Sequence, residues 1–136
     1  MKILITGGAG FIGTNLCVAL APKHNIVSID NYSIGLKKNH IKGVKYLDAD
    51  VQDIMDVVDN DFDICFHLAG LSRIQPSFSD PMTTFNSNTL GVLSIVEWCR
   101  KYGVRLIYAG SSSRHYNHYQ SPYATFKYLG EEICKL

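Results

Sequence analysis

A short apolar run, Lys2-Ile3-Leu4-Ile5-Thr6, passes without a spacer into Gly7-Gly8-Ala9-Gly10-Phe11-Ile12-Gly13, and a helical pattern follows as far as Leu20. Few backbone arrangements satisfy that order. A strand has to end, turn tightly at Gly7, leave the backbone bare at Gly10 and pack a helix closely against the strand end at Gly13. The start of such a helix offers unpaired N–H groups and the positive end of the helix dipole, which together seat a pyrophosphate. The apolar stretch before the glycines is too short to read as a secretory leader.

The remainder of the chain repeats the strand-then-helix pattern. Strands are predicted over 2–6, 25–29, 44–47, 63–68 and 105–109, with helices over 11–20, 52–58, 82–102 and 122–135. The longest helix carries Phe85, Thr89, Val92, Val96 and Cys99 on one stripe and is closed by Gly103. The strands are continuous apolar runs, as expected of parallel strands covered on both faces. Right-handed crossovers then give the α/β class: a doubly wound parallel sheet of about five strands. With 136 residues, 46% of them hydrophobic, one domain over 1–136 is expected.

Composition narrows the partners. Thirteen basic against twelve acidic residues leave no electrostatic footprint for nucleic acid or an anionic membrane. No apolar run approaches the roughly 20 residues that cross a bilayer. Cys17, Cys65, Cys99 and Cys134 stand far apart in apolar segments and read as reduced, buried thiols, with no metal site. A cytoplasmic protein is expected.

Two constellations carry chemistry. Asp30 ends the second strand at the separation expected of a carboxylate that accepts hydrogen bonds from an adenosine ribose and repels a 2′-phosphate, so NAD is favoured over NADP. Lys37 and Lys38 follow closely enough to weaken that preference, unless they belong to a solvated loop. Ser111-Ser112-Ser113 lie just past the fifth strand, and Tyr123 and Lys127, one helical turn apart, share a helix face. A tyrosine hydroxyl is a poor base at neutral pH, but a neighbouring ammonium and a bound nicotinamide cation favour the phenolate. A phenolate can take a proton from a substrate hydroxyl as hydride leaves its carbon, with a serine hydroxyl on the same oxygen.

In this order, Gly7-Gly8-Ala9-Gly10-Phe11-Ile12-Gly13, Asp30-Asn31-Tyr32-Ser33, Asp50-Val51, His67-Leu68-Ala69-Gly70, Asn88-Thr89-Leu90-Gly91 and the Ser/Tyr/Lys set resemble the N-terminal part of extended short-chain dehydrogenases/reductases, the nucleotide-sugar epimerase/dehydratase group. The resemblance implies a Rossmann domain binding NAD and a nucleotide-sugar substrate. It implies that Gly7, Gly10, Phe11, Ile12 and Gly13 surround the pyrophosphate, that Asn31 and Ser33 join Asp30, and that Asp50 and Val51 sit at the adenine. Leu68, Ala69 and Gly70 would line the cofactor's middle, Asn88 would brace the nicotinamide end, and Tyr123 and Lys127 would meet the nicotinamide ribose. Counting back from Tyr116 selects Ser112 as the catalytic serine, with Ser113 as the alternative.

Relatives that dehydrate sugars carry an Asp-Glu pair after this serine, where Ser113 and Arg114 stand here. The resemblance therefore favours a 4-epimerase of a UDP-sugar, working through a 4-keto intermediate, over a dehydratase or reductase. Family members continue for about as long again, into a domain that grips the nucleotide, and no such domain is read in this sequence. The chain alone is therefore expected to turn over weakly or not at all, and a homodimer or a complementing C-terminal chain is the expected partner. The other class of reading is an NAD-binding module without turnover. His67 is expected to be a hydrogen-bonded strand end, with a cofactor contact as the alternative, His115 and His118 loop residues, and Trp98 and Leu90 either core or a helix–helix contact between copies.

Overall fold

In a computed structural model describing residues 1–136, strands β1 (Lys2–Thr6), β2 (Asn25–Asp30), β3 (Val44–Asp48), β4 (Ile64–His67) and β5 (Arg105–Tyr108) form a single parallel sheet in the order β3-β2-β1-β4-β5. The chain builds outward from β1 to β3, returns across the sheet, and builds outward again through β4 to β5. The direction of winding reverses between β1 and β4, and in such sheets a crevice opens there beyond the carboxyl ends of the strands.

The pleat of β1 sorts its side chains to two cores. Leu4 packs with Val27, Ile29 and Cys65 against one layer, while Ile3 and Ile5 face the other with Ile26 and Cys17. The second layer is helix α1 (Phe11–Leu20). The first is built from α2 (Ile54–Val57) and α5 (Gly91–Tyr102), which bring in Ile54, Ile95 and Trp98. Trp98 is fully buried, edge-on to Phe62 and Tyr102, so it belongs to the core. Leu90 is half-buried.

Several elements differ from the sequence expectation. The long helix is composite: α4 (Pro81–Phe85), capped by the Asp80 carboxylate, runs through a π-helical turn at Asn86–Leu90 into α5. A helix α3 (Ile74–Ser79) precedes it where none was expected. The segment after Asp50 is a 3-10 turn (Val51–Asp53) leading into the single turn of α2. The last helix, α6 (Pro122–Ile133), is capped by the Ser121 hydroxyl and ends two residues early. Strand β2 runs one residue further than expected and includes Asp30. The sheet edges are not covered on both faces: in β5, Arg105 and Ile107 are exposed because no element packs over them. The thiols of Cys17, Cys65 and Cys99 are buried, whereas Cys134, at the end of α6, is half-buried; all four are free. No helix is long and apolar enough to cross a membrane.

Candidate cofactor cleft and reaction centre

A cleft of about 350 Å³ opens at the winding reversal. Its floor is backbone. Gly7 adopts φ +74°, a left-handed conformation that side chains disfavour, and its N–H donates to Ile29 O at 2.8 Å, tying the loop to β2. A Cβ on Gly7 would stand 2.8 Å from Ala69 N, and one on Gly13 would overlap Gly7 O, so Gly7 is required by conformation and contact and Gly13 by contact alone. Gly10 is the N-cap of α1 and contributes no side chain. The first helical bond there runs from Thr14 N to Gly10 O at 2.9 Å, so the amides of Phe11, Ile12 and Gly13 precede the bonded ladder. No acidic side chain lies in that first turn to compete for them.

One rim is organised by Asp30, which is 7% exposed. Its Oδ2 accepts from Ala9 N and its Oδ1 from Tyr32 N, both at 2.9 Å. A carboxylate has about four acceptor positions, so capacity remains on the cleft side. Asn31 donates to Asp50 Oδ2 at 2.9 Å and accepts from Ser33 N at 3.1 Å, which joins the loops following β2 and β3.

The opposite wall hangs from a buried network. The Thr6 hydroxyl accepts from Leu68 N at 3.2 Å and Ala69 N at 3.1 Å, and lies 2.6 Å from His67 Nδ1. With both lone pairs engaged, the hydroxyl donates its proton to Nδ1, and the imidazole carries its own proton on Nε2. Burial, with the Lys127 charge as a smaller cause, pushes the His67 pKa down to about 3. His67 is thus the hydrogen-bonded strand end expected of it, and it supports the cleft from behind.

The cleft lining brings together thirteen of the residues read as cofactor contacts: Gly7, Gly10, Phe11, Ile12 and Gly13; Asp30, Asn31 and Ser33; Asp50 and Val51; and Leu68, Ala69 and Gly70. Sequence reasoning missed Ile29, Ile34, Gly35, Ala49, Ser72 and Ser87, which also line it. Ile29, Ile34, Ala49 and Ser87 carried a signal, as immediate neighbours of quoted motifs.

Asn88, Ser112, Tyr123 and Lys127 do not line this cleft. Asn88 is buried in the π-helical turn, and its side chain is engaged with backbone: Oδ1 accepts from Leu71 N and Nδ2 donates to Leu71 O, each at 2.8 Å. It secures the chain that leaves β4 rather than projecting a free amide. Among the three serines, the Ser111 and Ser113 hydroxyls bond each other at 2.7 Å, while the exposed Ser112 makes no hydrogen bond through its hydroxyl. Tyr123 N donates to Ser77 Oγ at 3.1 Å, fixing the first turn of α6 on α3. Lys127 Nζ donates to Ala109 O at 2.6 Å and lies 4.3 Å from the Tyr108 ring centroid. Burial lowers its pKa to about 8. His118 stacks on Tyr128 in the loop before α6, and His115 is exposed.

Comparison with known proteins settles the lineage. The profile of the NAD dependent epimerase/dehydratase family matches residues 3–136. The chain belongs to that family. It is 32% identical, over 98% of its length and 50% of the relative's, to a putative UDP-glucose 4-epimerase of Methanocaldococcus jannaschii. It is equally identical, over 82% of its length and 27% of the relative's, to UDP-glucuronic acid decarboxylase 1 of Danio rerio. The UDP-glucose 4-epimerase of Thermus thermophilus, solved as a complex with NAD, superposes with a TM-score of 0.85 at 29% identity, over 99% of this chain and 50% of that one. The chain thus spans between about a quarter and a half of the length of these relatives. Within the family, relatives named for different reactions share this half, so its likeness to them alone does not choose the reaction.

Proposed function

We propose that this chain is the NAD-binding half of a nucleotide-sugar 4-epimerase whose substrate is a UDP-sugar. The observation that carries the reading is the cleft at the winding reversal: a glycine cradle that any Cβ would fill, free amides at a helix start, and a carboxylate with spare acceptor capacity on the rim. These residues fit the cofactor. The glycine loop and the first turn of α1 would hold its diphosphate, Asp30 its adenosine ribose, and Leu68, Ala69 and Gly70 its middle. When bound, NAD supplies an acceptor that takes a hydride from the sugar and returns it within the same turnover.

The protein's part is proton handling. Ser112, with its hydroxyl unengaged, would hold the reacting sugar oxygen. Tyr123 would take that oxygen's proton and later give it back, and the Lys127 ammonium, one turn along α6, would favour the phenolate. The identity of the neighbours argues against dehydration. Ser113 is bonded to Ser111 and Arg114 is paired with Glu131 at 2.7 Å, so no carboxylic acid follows Ser112 to eliminate water.

Calorimetry of the folded chain is expected to show one NAD bound per chain, and UDP-glucose or UDP-galactose to generate reduced nicotinamide absorbance once a complementing C-terminal chain is supplied to the loaded chain. Tyr123→Phe should keep NAD affinity within about threefold while removing that absorbance change, since only the proton acceptor is lost. No binding of NAD overturns the reading. Binding with no response to either sugar leaves a dinucleotide-binding module in its place.

A further inference from the structure

The loop after β2 folds back onto the glycine loop and carries a lysine beside the rim of the cleft. Leu36 N and Asn39 Nδ2 both donate to Ala9 O, at 3.2 and 2.8 Å, while Ala9 N is held by the Asp30 carboxylate. Lys37 lies between those two anchors. The loop is further rooted by Tyr32, whose hydroxyl meets His40 Nε2 at 2.8 Å, and by His40, stacked on Tyr46 with ring centroids 3.8 Å apart.

The Lys37 side chain nevertheless does not turn towards Asp30. Its ammonium donates to Asp48 Oδ2 at 2.7 Å and sits 4.9 Å from the Tyr32 ring centroid. Asp48 is the register partner of Asp30 on the neighbouring strand. Registered residues of parallel strands project to the same side, about 4.8 Å apart. The two carboxylates therefore flank one position at the strand ends, and the nearby ammonium is consumed by the outer one.

We propose that Asp48 is a specificity-determining residue for the dinucleotide: by holding Lys37, it keeps that ammonium away from the adenosine 2′ position and so preserves discrimination against a 2′-phosphate. The inference rests on the proposed binding of NAD and adds to it. Asp30 alone rejects a 2′-phosphate by like charge, but a free lysine in the loop between β2 and β3 would offset that rejection. The Asp48–Lys37 pair is exposed and contributes little to stability, so its removal leaves the fold intact and isolates its effect on selectivity.

NAD and NADP are titrated calorimetrically, at low salt, into the unaltered chain, Asp48→Asn, Lys37→Met and the double variant. Asp48→Asn is expected to raise NADP affinity about tenfold with NAD affinity held within about twofold, because the freed ammonium can meet a phosphate of charge near −2. Lys37→Met should not raise NADP affinity. The double variant should return NADP affinity to within about threefold of the unaltered chain, since the gain requires the lysine. If NAD binds normally and Asp48→Asn leaves the NAD-to-NADP ratio unchanged, or the double variant keeps the gain, the proposal falls and the NAD reading stands. If the unaltered chain binds neither dinucleotide, both fall.

Discussion

Between pH 7 and about pH 4.5, the folded chain is expected to lose about 2–3 kcal/mol of stability through His67 alone. The imidazole is fully buried, and burial, followed by the Lys127 charge, holds its folded pKa near 3, against an ordinary value of 6.5. The unfolded chain therefore takes up a proton as pH falls through 6.5, while the folded chain does not until about 3. Stability is fully present above 6.5 and declines towards 3; each unit of separation is worth about 1.4 kcal/mol. That decrement is a large share of the roughly 5–15 kcal/mol that holds a domain together.

The loss is coupled to function. Protonating Nδ1 removes the acceptor for the Thr6 hydroxyl, whose lone pairs already serve Leu68 N and Ala69 N. The charged ring would also lie against Tyr108 and near the Lys127 ammonium. Urea unfolding at pH 7, 5.5 and 4.5 measures the effect, with His67→Gln as the non-titrating reference. Exposed carboxylates such as Asp61, Asp80 and Glu97, whose pKa values are lowered by their hydrogen-bond partners, titrate alike in both proteins and cancel. The difference between the two should shrink by about 2–3 kcal/mol across this window. Parallel pH profiles would show that His67 is not held neutral; a proton NMR titration of its ring gives the same answer if the variant does not fold.

What was legible in the sequence is what local spacing encodes. Gly7, Gly10 and Gly13 mark a strand-to-helix turn because the left-handed turn at Gly7 and the close contact at Gly13 call for glycine, and Asp30 stands out because an acid ends a mainly apolar strand. The three inner strands were readable because buried parallel strands are nearly uninterrupted apolar runs, and the edge strands β3 and β5 kept enough of that pattern despite Lys45 and Arg105. The π-helical turn at Asn86–Leu90 was not, since its sequence fits an ordinary helix and only the registry of backbone bonds distinguishes it. Helix α3 was missed because Pro76 and its serines resemble a loop, although Pro76 lies within the first turn, where the absent N–H is harmless. The roles of Asn88, Asp48 and Thr6 were out of reach for another reason: their partners Leu71, Lys37 and His67 lie 17, 11 and 61 residues away. Sequence spacing on one helix or strand carries no information about such pairs.

Gly13→Ala is expected to weaken NAD binding by about ten- to a hundredfold and to destabilise the chain by about 1–3 kcal/mol. The added methyl would overlap Gly7 O and lie 2.6 Å from Gly8 Cα, all backbone atoms of the loop that lines the cleft. A flexible side chain in that place could swing aside, but a backbone cannot. Gly7 is pinned to Ile29 O on one side and abuts Ala69 on the other, so the strain has two outlets: α1 withdraws, or the loop closes into the space meant for the diphosphate. Either outlet moves the amides of Phe11 and Ile12, and a displacement of a few tenths of an ångström is enough to spoil several charge-assisted hydrogen bonds together. Calorimetric titration with NAD, at a temperature where circular dichroism shows the variant fully folded, separates lost affinity from lost structure. Unchanged affinity in a folded Gly13→Ala protein would mean that the diphosphate does not sit on this turn, and the assignment of the cleft would fail with it.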